Sequence, residues 1–168
     1  SIGSFPIETV KVMARIIERT EEVALDQIAP LRHSPATKGG AITKAATEVG
    51  LTVGAKFLVA FTQSGDSARR MSRLRSPIPM LALTPEIGTY NRLALSWGVE
   101  SMITSVVSHT DEMVMQVDSI LIESKRVKIG DLVLIVAGSP PGIPGSINAM
   151  RVHKIGDAVG GVAPAYRK

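Results

Sequence analysis

Ala55-Lys56-Phe57-Leu58-Val59-Ala60-Phe61-Thr62-Gln63-Ser64-Gly65-Asp66-Ser67-Ala68-Arg69-Arg70-Met71-Ser72-Arg73-Leu74 decides how this chain folds. Residues 55–61 are almost entirely apolar over the length of one strand, the pattern of a strand covered on both faces. Residues 67–75 carry Arg69, Arg70 and Arg73 on one side and Met71 and Leu74 among them, the pattern of a helix with a basic face. Between them lies a turn with three hydroxyls and one glycine, Thr62-Gln63-Ser64-Gly65-Asp66-Ser67. A turn that leads from a strand into a helix offers backbone N–H groups and the positive end of the helix dipole to an anion. Two readings stand side by side. Ser67 caps the helix and the turn has no ligand, or the turn cradles a phosphate at the carboxyl end of the strand, where such folds bind ligands.

Outward from this stretch the chain alternates. Strands are predicted at 79–83, 100–104 and 132–137, with helices at 85–96 and 110–125 between them. A glycine- and proline-rich loop over 138–148 then leads to a last strand near 150–155, and that connection is too short for a crossover, so the final pair must be antiparallel. The expected fold is a three-layer α/β/α sandwich around a five-stranded, mostly parallel sheet with one antiparallel strand. Upstream, Val10, Met13, Ala14 and Ile17 share one face of a helix that starts near Pro6 and fades near Leu25. Residues 30–37 read as a linker. A second helix is predicted over 38–49, with Gly50 as its stop. The tail, 156–168, is expected to be loosely ordered.

Composition narrows the function. There is no cysteine, which removes disulfides, thiolate metal sites and cysteine nucleophiles and fits a cytoplasmic protein. The net charge is +4, but the basic residues are spread out and aromatics are 4% of the chain, so a nucleic-acid partner is not expected. No apolar run approaches the ~18 residues of a membrane span, and no secretory signal opens the chain; no membrane partner is expected. His33, His109 and His153 lie far apart with no metal-binding spacing, so no metal ligand is assigned. The P-loop, dinucleotide and nucleophile-elbow motifs are all missing, and no catalytic residue is assigned. Asp111 and Glu112 suit the start of their helix, and Lys125 and Arg126 its end. Ile87, Leu93, Ala94 and Leu95, with Tyr90, give helix 85–96 more apolar surface than one face needs, suggesting either an oligomer interface over 85–97 or burial within the monomer. The 138–148 loop, stiffened by prolines, has the form of a ligand clamp or of a decorated connection.

Taken together these pieces resemble the C-terminal domain of pyruvate kinases. Gly3-Ser4-Phe5-Pro6-Ile7-Glu8 before a long helix resembles the family's lead into the last helix of its catalytic barrel. Residues 60–68 resemble its effector loop, Pro79-Met80-Leu81-Ala82-Leu83-Thr84 its second strand, and Trp97-Gly98-Val99, Lys128-Ile129-Gly130-Asp131-Leu132-Val133 and Gly145-Ser146-Ile147-Asn148 continue in its order. Ala137-Gly138-Ser139-Pro140-Pro141-Gly142 is most similar to bacterial members.

The resemblance implies a division into a barrel-derived helix (1–25), an α/β domain (26–155) and a tail (156–168), as a fragment or truncated chain. It implies a regulatory and oligomerisation domain of the glycolytic enzyme that transfers a phosphoryl group from phosphoenolpyruvate to ADP. The parent would use magnesium and potassium, while this chain itself would hold no cofactor, be inactive alone, and self-associate as part of a homotetramer. Thr62, Gln63, Ser64, Gly65 and Ser67 would then hold an effector phosphate, with Gly142, Gly145, Ser146 and Asn148 on the facing loop. Neutral Gln63, and a 138–148 loop without Trp or Arg, depart from members that bind fructose 1,6-bisphosphate. A bisphosphate needs more positive charge than such loops supply, so AMP or a sugar monophosphate is the expected effector. The alternatives are a purely structural, oligomerising domain with a vestigial loop and, less in keeping with the residues, a self-contained enzyme.

Overall fold

The computed structural model describes residues 2–24, 27, 35–139, 141, 143 and 145–160. The chain divides into two units, residues 1–33 and 34–168. The first contains α1 (Pro6–Ala24), whose large apolar side chains, Val10, Met13, Ile16 and Ile17 among them, are all exposed within their unit. Among the described residues no helix is long and apolar enough to cross a membrane.

The second unit is built on α2 (Lys38–Val53), β1 (Phe57–Phe61), α3 (Asp66–Ser72), β2 (Met80–Thr84), α4 (Ile87–Leu93), β3 (Val99–Ile103), α5 (Thr110–Glu123), β4 (Leu132–Gly138) and β5 (Ile147–Lys154), then a 3₁₀ turn over Asp157–Gly160. The five strands form one sheet in the order β3-β2-β1-β4-β5. All neighbours are parallel except β4 and β5, which pair antiparallel. The expected three-layer arrangement follows from alternation along the strands. Leu58 and Ala60 of β1 point to one face and pack with Ala46 of α2, Met71 of α3 and Leu93 of α4. Phe57 and Val59 point to the other and pack with Val117 and Leu121 of α5. Both faces of the central strands are covered, which explains why β1, β2 and β4 read as unbroken apolar runs.

Several boundaries differ from expectation for tertiary reasons. Gly50 does not stop α2; it lies buried inside the helix, where a Cβ would come within 2.8 Å of Leu58 Cδ2. The glycine therefore serves close helix–sheet approach. The helix ends at Gly54 instead, in the left-handed conformation (φ 67°), with its N–H donating to the Gly50 and Leu51 carbonyls. Strand β5 begins at Ile147, so the loop after β4 is shorter than 138–148. The tail is not wholly loose: the Gly156 and Ala158 N–H groups donate to Asp118 Oδ2 at 3.1 and 3.3 Å. The helix expected over 85–96 is helical only to Leu93. Leu93 is buried, while Ile87 and Leu95 are exposed and Trp97 lies under the Arg75 guanidinium, 4.6 Å from it. Leu93 is thus buried within the monomer, while Ile87 and Leu95 leave apolar side chains open to solvent.

Candidate functional site

Strands β1, β2 and β3 are laid down in one direction across the sheet, and the chain then returns through α5 to place β4 on the other side of β1. The order reverses between β1 and β4. At such a switch point the loops leaving neighbouring carboxyl ends part, and the crevice between them is where open α/β sheets take ligands. A cleft open to solvent lies there. One wall comes from the turn after β1, the facing wall from the loop after β4. The roof is the 104–107 stretch, which carries the chain from β3 towards α5. The floor is apolar: Phe61 and Met113 line it, packed with Ala137 and with Val107 at the end of the roof.

The turn after β1 is held by its own hydrogen bonds. The Gly65 N–H donates to Thr62 Oγ1 at 2.9 Å, and the Arg69 guanidinium donates to the Ser64 carbonyl at 3.1 Å. From α4, Thr89 donates its hydroxyl to the Gln63 carbonyl at 2.6 Å and accepts from Arg92 at 2.9 Å. Gly65 takes φ 82° and stands at the N-cap of α3, a conformation that favours glycine. Ser67 lies one step inside the helix, buried, and makes no cap hydrogen bond. The capping reading of Ser67 therefore fails on geometry, and its side chain lines the cleft instead. The first-turn N–H groups of α3 have no intrahelical acceptor.

Of the residues expected to hold a phosphate, Thr62, Gln63, Ser64 and Ser67 line the cleft, and Gly65 shapes the turn. On the facing loop Gly145 and Ser146 line it, and Gly142 lies outside the described residues. Ser146 also donates its hydroxyl to the Ile143 carbonyl at 2.7 Å. Asn148 holds the loop. Its Oδ1 accepts from the Ser139 N–H at 2.7 Å and its Nδ2 donates to the Ser139 carbonyl at 2.6 Å, so it pins the base of the loop.

Sequence reasoning missed Asp66, Thr104 and Ser105, which also line the cleft. Asp66 pairs with Arg70 at 2.6 Å, an i,i+4 spacing that was readable in the sequence. Thr104 and Ser105 had no local signal, because only the crossover path brings them over β1. Among the described lining residues there is no Lys or Arg. Among the described residues no three His, Asp or Glu side chains converge as a metal site.

Comparison with known proteins agrees with this architecture. The family described as "Pyruvate kinase, alpha/beta domain" matches residues 40–153. Pyruvate kinase of Mycobacterium tuberculosis is 48% identical over 157 residues, covering 94% of this chain and 33% of that protein. The Corynebacterium glutamicum pyruvate kinase is 40% identical over the same shares. A crystal structure of a Cryptosporidium parvum pyruvate kinase superposes with a TM-score of 0.73 at 23% identity, over 91% of this chain and 31% of that one, and so shares the fold. The chain thus spans about a third of the length of the relatives it matches. With its sheet order, its switch-point cleft and these matches, the chain belongs to the pyruvate kinase family and carries that family's α/β domain.

Proposed function

We propose that this domain is the effector-binding and oligomerisation part of a cytoplasmic pyruvate kinase, whose phosphoryl transfer from phosphoenolpyruvate to ADP takes place outside this chain. The observation that carries the reading is the cleft between the β1 and β4 loops, with hydroxyls on both walls and an apolar floor. Hydroxyls and first-turn N–H groups suit one phosphate, and the apolar floor suits a ring or sugar body. Two phosphates carry more charge than this lining answers, so AMP or a sugar monophosphate is the fitting class. Calorimetry of the chain with AMP, glucose 6-phosphate and fructose 1,6-bisphosphate tests it. Binding of a monophosphate in preference to the bisphosphate is expected. No binding by any of the three defeats the effector role.

A second reading, a structural and oligomerising domain without a ligand, is favoured by the exposed Ile87 at the start of α4 and Leu95 just after it. It predicts self-association that AMP does not alter, and Leu95→Asp would weaken that association in sedimentation.

A further inference from the structure

The cleft presents a problem of charge. Its described lining offers hydroxyls to a phosphate but no cation, and it includes a carboxylate, Asp66. Two guanidinium groups of α3 touch that lining, Arg69 at the Ser64 carbonyl and Arg70 at the Asp66 carboxylate. Arg70 lies one turn along α3 from Asp66. Its Nε donates to Asp66 Oδ2 at 2.6 Å and its Nη1 donates to Thr37 Oγ1 at 3.1 Å. Thr37 is the N-cap of α2, and the same Oγ1 accepts from the Gly40 N–H at 3.1 Å. Glycines stand where the guanidinium lies over the first turn of α2: a Cβ at Gly39 would sit 3.9 Å from Arg70 Nε, and one at Gly40 3.5 Å from Nη1. Arg70 therefore joins the cleft wall to the start of α2.

We infer that Arg70 is a transferable cation, which exchanges Asp66 and Thr37 for the phosphate of a ligand in the cleft and thereby loosens the N-cap of α2. The inference rests on the effector site proposed above and names how that site is read out. The Asp66–Arg70 pair is partly exposed, with 40% and 33% of the two side chains accessible, and ion pairs of that kind are weak. A phosphate offers the guanidinium a bidentate, more highly charged acceptor. An anion beside Asp66 also repels its carboxylate, which pushes the exchange the same way. Once Arg70 has turned away, Thr37 Oγ1 keeps the Gly40 N–H but loses the donor that orients it. Ligand occupancy at the carboxyl edge of the sheet is thus reported at the start of α2, through one side chain. Arg69 is not the cation in question, because its guanidinium holds the Ser64 carbonyl and so the turn itself.

The test uses the chain of residues 1–168 with AMP as the probe, read by calorimetry and by amide hydrogen exchange at Gly40. Arg70→Gln is expected to weaken AMP about tenfold or more, the scale of a lost charge-assisted bond. Asp66→Asn, which frees Arg70 and removes the repulsion, is expected to tighten it. AMP should speed exchange at Gly40 in the unmodified chain and leave it unchanged in Arg70→Gln. Equal AMP affinity with and without Arg70, or weaker binding by Asp66→Asn, overturns the inference while leaving the effector site standing. If the unmodified chain binds no AMP, the site itself fails and the inference with it. Should Arg70→Gln unfold, Asp66→Asn alone decides, since the inference and a merely structural role predict opposite signs.

Discussion

Among the carboxylates of this domain that have basic partners, Asp66 and Asp118 stand in opposite settings. Asp66 meets Arg70 at the rim of the cleft, both partly exposed. Asp118 of α5 meets His153 of β5 in the interior, with Nε2 2.7 Å from Oδ1 and the two side chains 4% and 2% accessible. The Asp118 carboxyl is also saturated: its second oxygen accepts the Gly156 and Ala158 N–H groups. The rim pair can be exchanged for water or a ligand at little cost. The buried group cannot, because every partner it leaves would stay unsatisfied in the core. Burial, more than residue type, decides which pair is a joint and which is a rivet.

The comparison breaks most visibly at Asp118. Asp118→Ala should cost about 3 kcal/mol or more in urea unfolding, through the stranded His153 and two orphaned N–H groups. It should also raise hydrogen exchange at Gly156 and Ala158. A cost below about 1 kcal/mol would mean that water replaces the lost partners. Next comes Ser64→Asp, which adds a negative charge to the cleft. Monophosphate affinity should fall by about tenfold or more with little change in stability. Asp66→Ala is expected to change stability by no more than about 1 kcal/mol in the same urea assay, the range of an exposed ion pair. A cost equal to that of Asp118→Ala would erase the distinction drawn here.

The smallest effect belongs to Glu112, at the start of α5. Its carboxylate accepts the Ser108 and His109 N–H groups at 2.7 and 3.3 Å. Those bonds lower its pKa from the usual 4.5. A lowered carboxylate pKa stabilises the fold above the unfolded value, and that contribution is lost as pH falls through the folded value. Glu112→Gln should therefore lower Tm slightly at pH 7. The difference from the unmodified chain should shrink below pH 4.5.

Much of the fold was legible because its signals are local. Strand β1 announced itself by its unbroken apolar run, and α2 by Ile42, Ala46 and Val49 recurring on one side. The antiparallel β5 followed from the length of one loop. The hydroxyl turn over residues 62–67 was legible too, down to Ser64 and Ser67 on its inner side. Gly50 misled because a glycine reads as a stop unless its neighbour across space is known, and that neighbour is Leu58. Nothing in the sequence showed that Asn148 gives one N–H and one oxygen lone pair of its amide to the Ser139 backbone. Nothing in the spacing of Asp118 and His153, thirty-five residues apart, suggested that they meet.

The sequence by itself determined the alternation of strands and helices, the coverage of the sheet on both faces, the family and the hydroxyl-rich turn. Each of these is written in periods of two to four residues or in the order of short motifs. Only the tertiary structure decided the strand order, the reversal between β1 and β4 that opens the cleft, the roof from residues 104–107, and the partners of Arg70 and Asp118. Those depend on which distant segments share a face or an edge, and the pairing of segments that far apart leaves no trace in local periodicity.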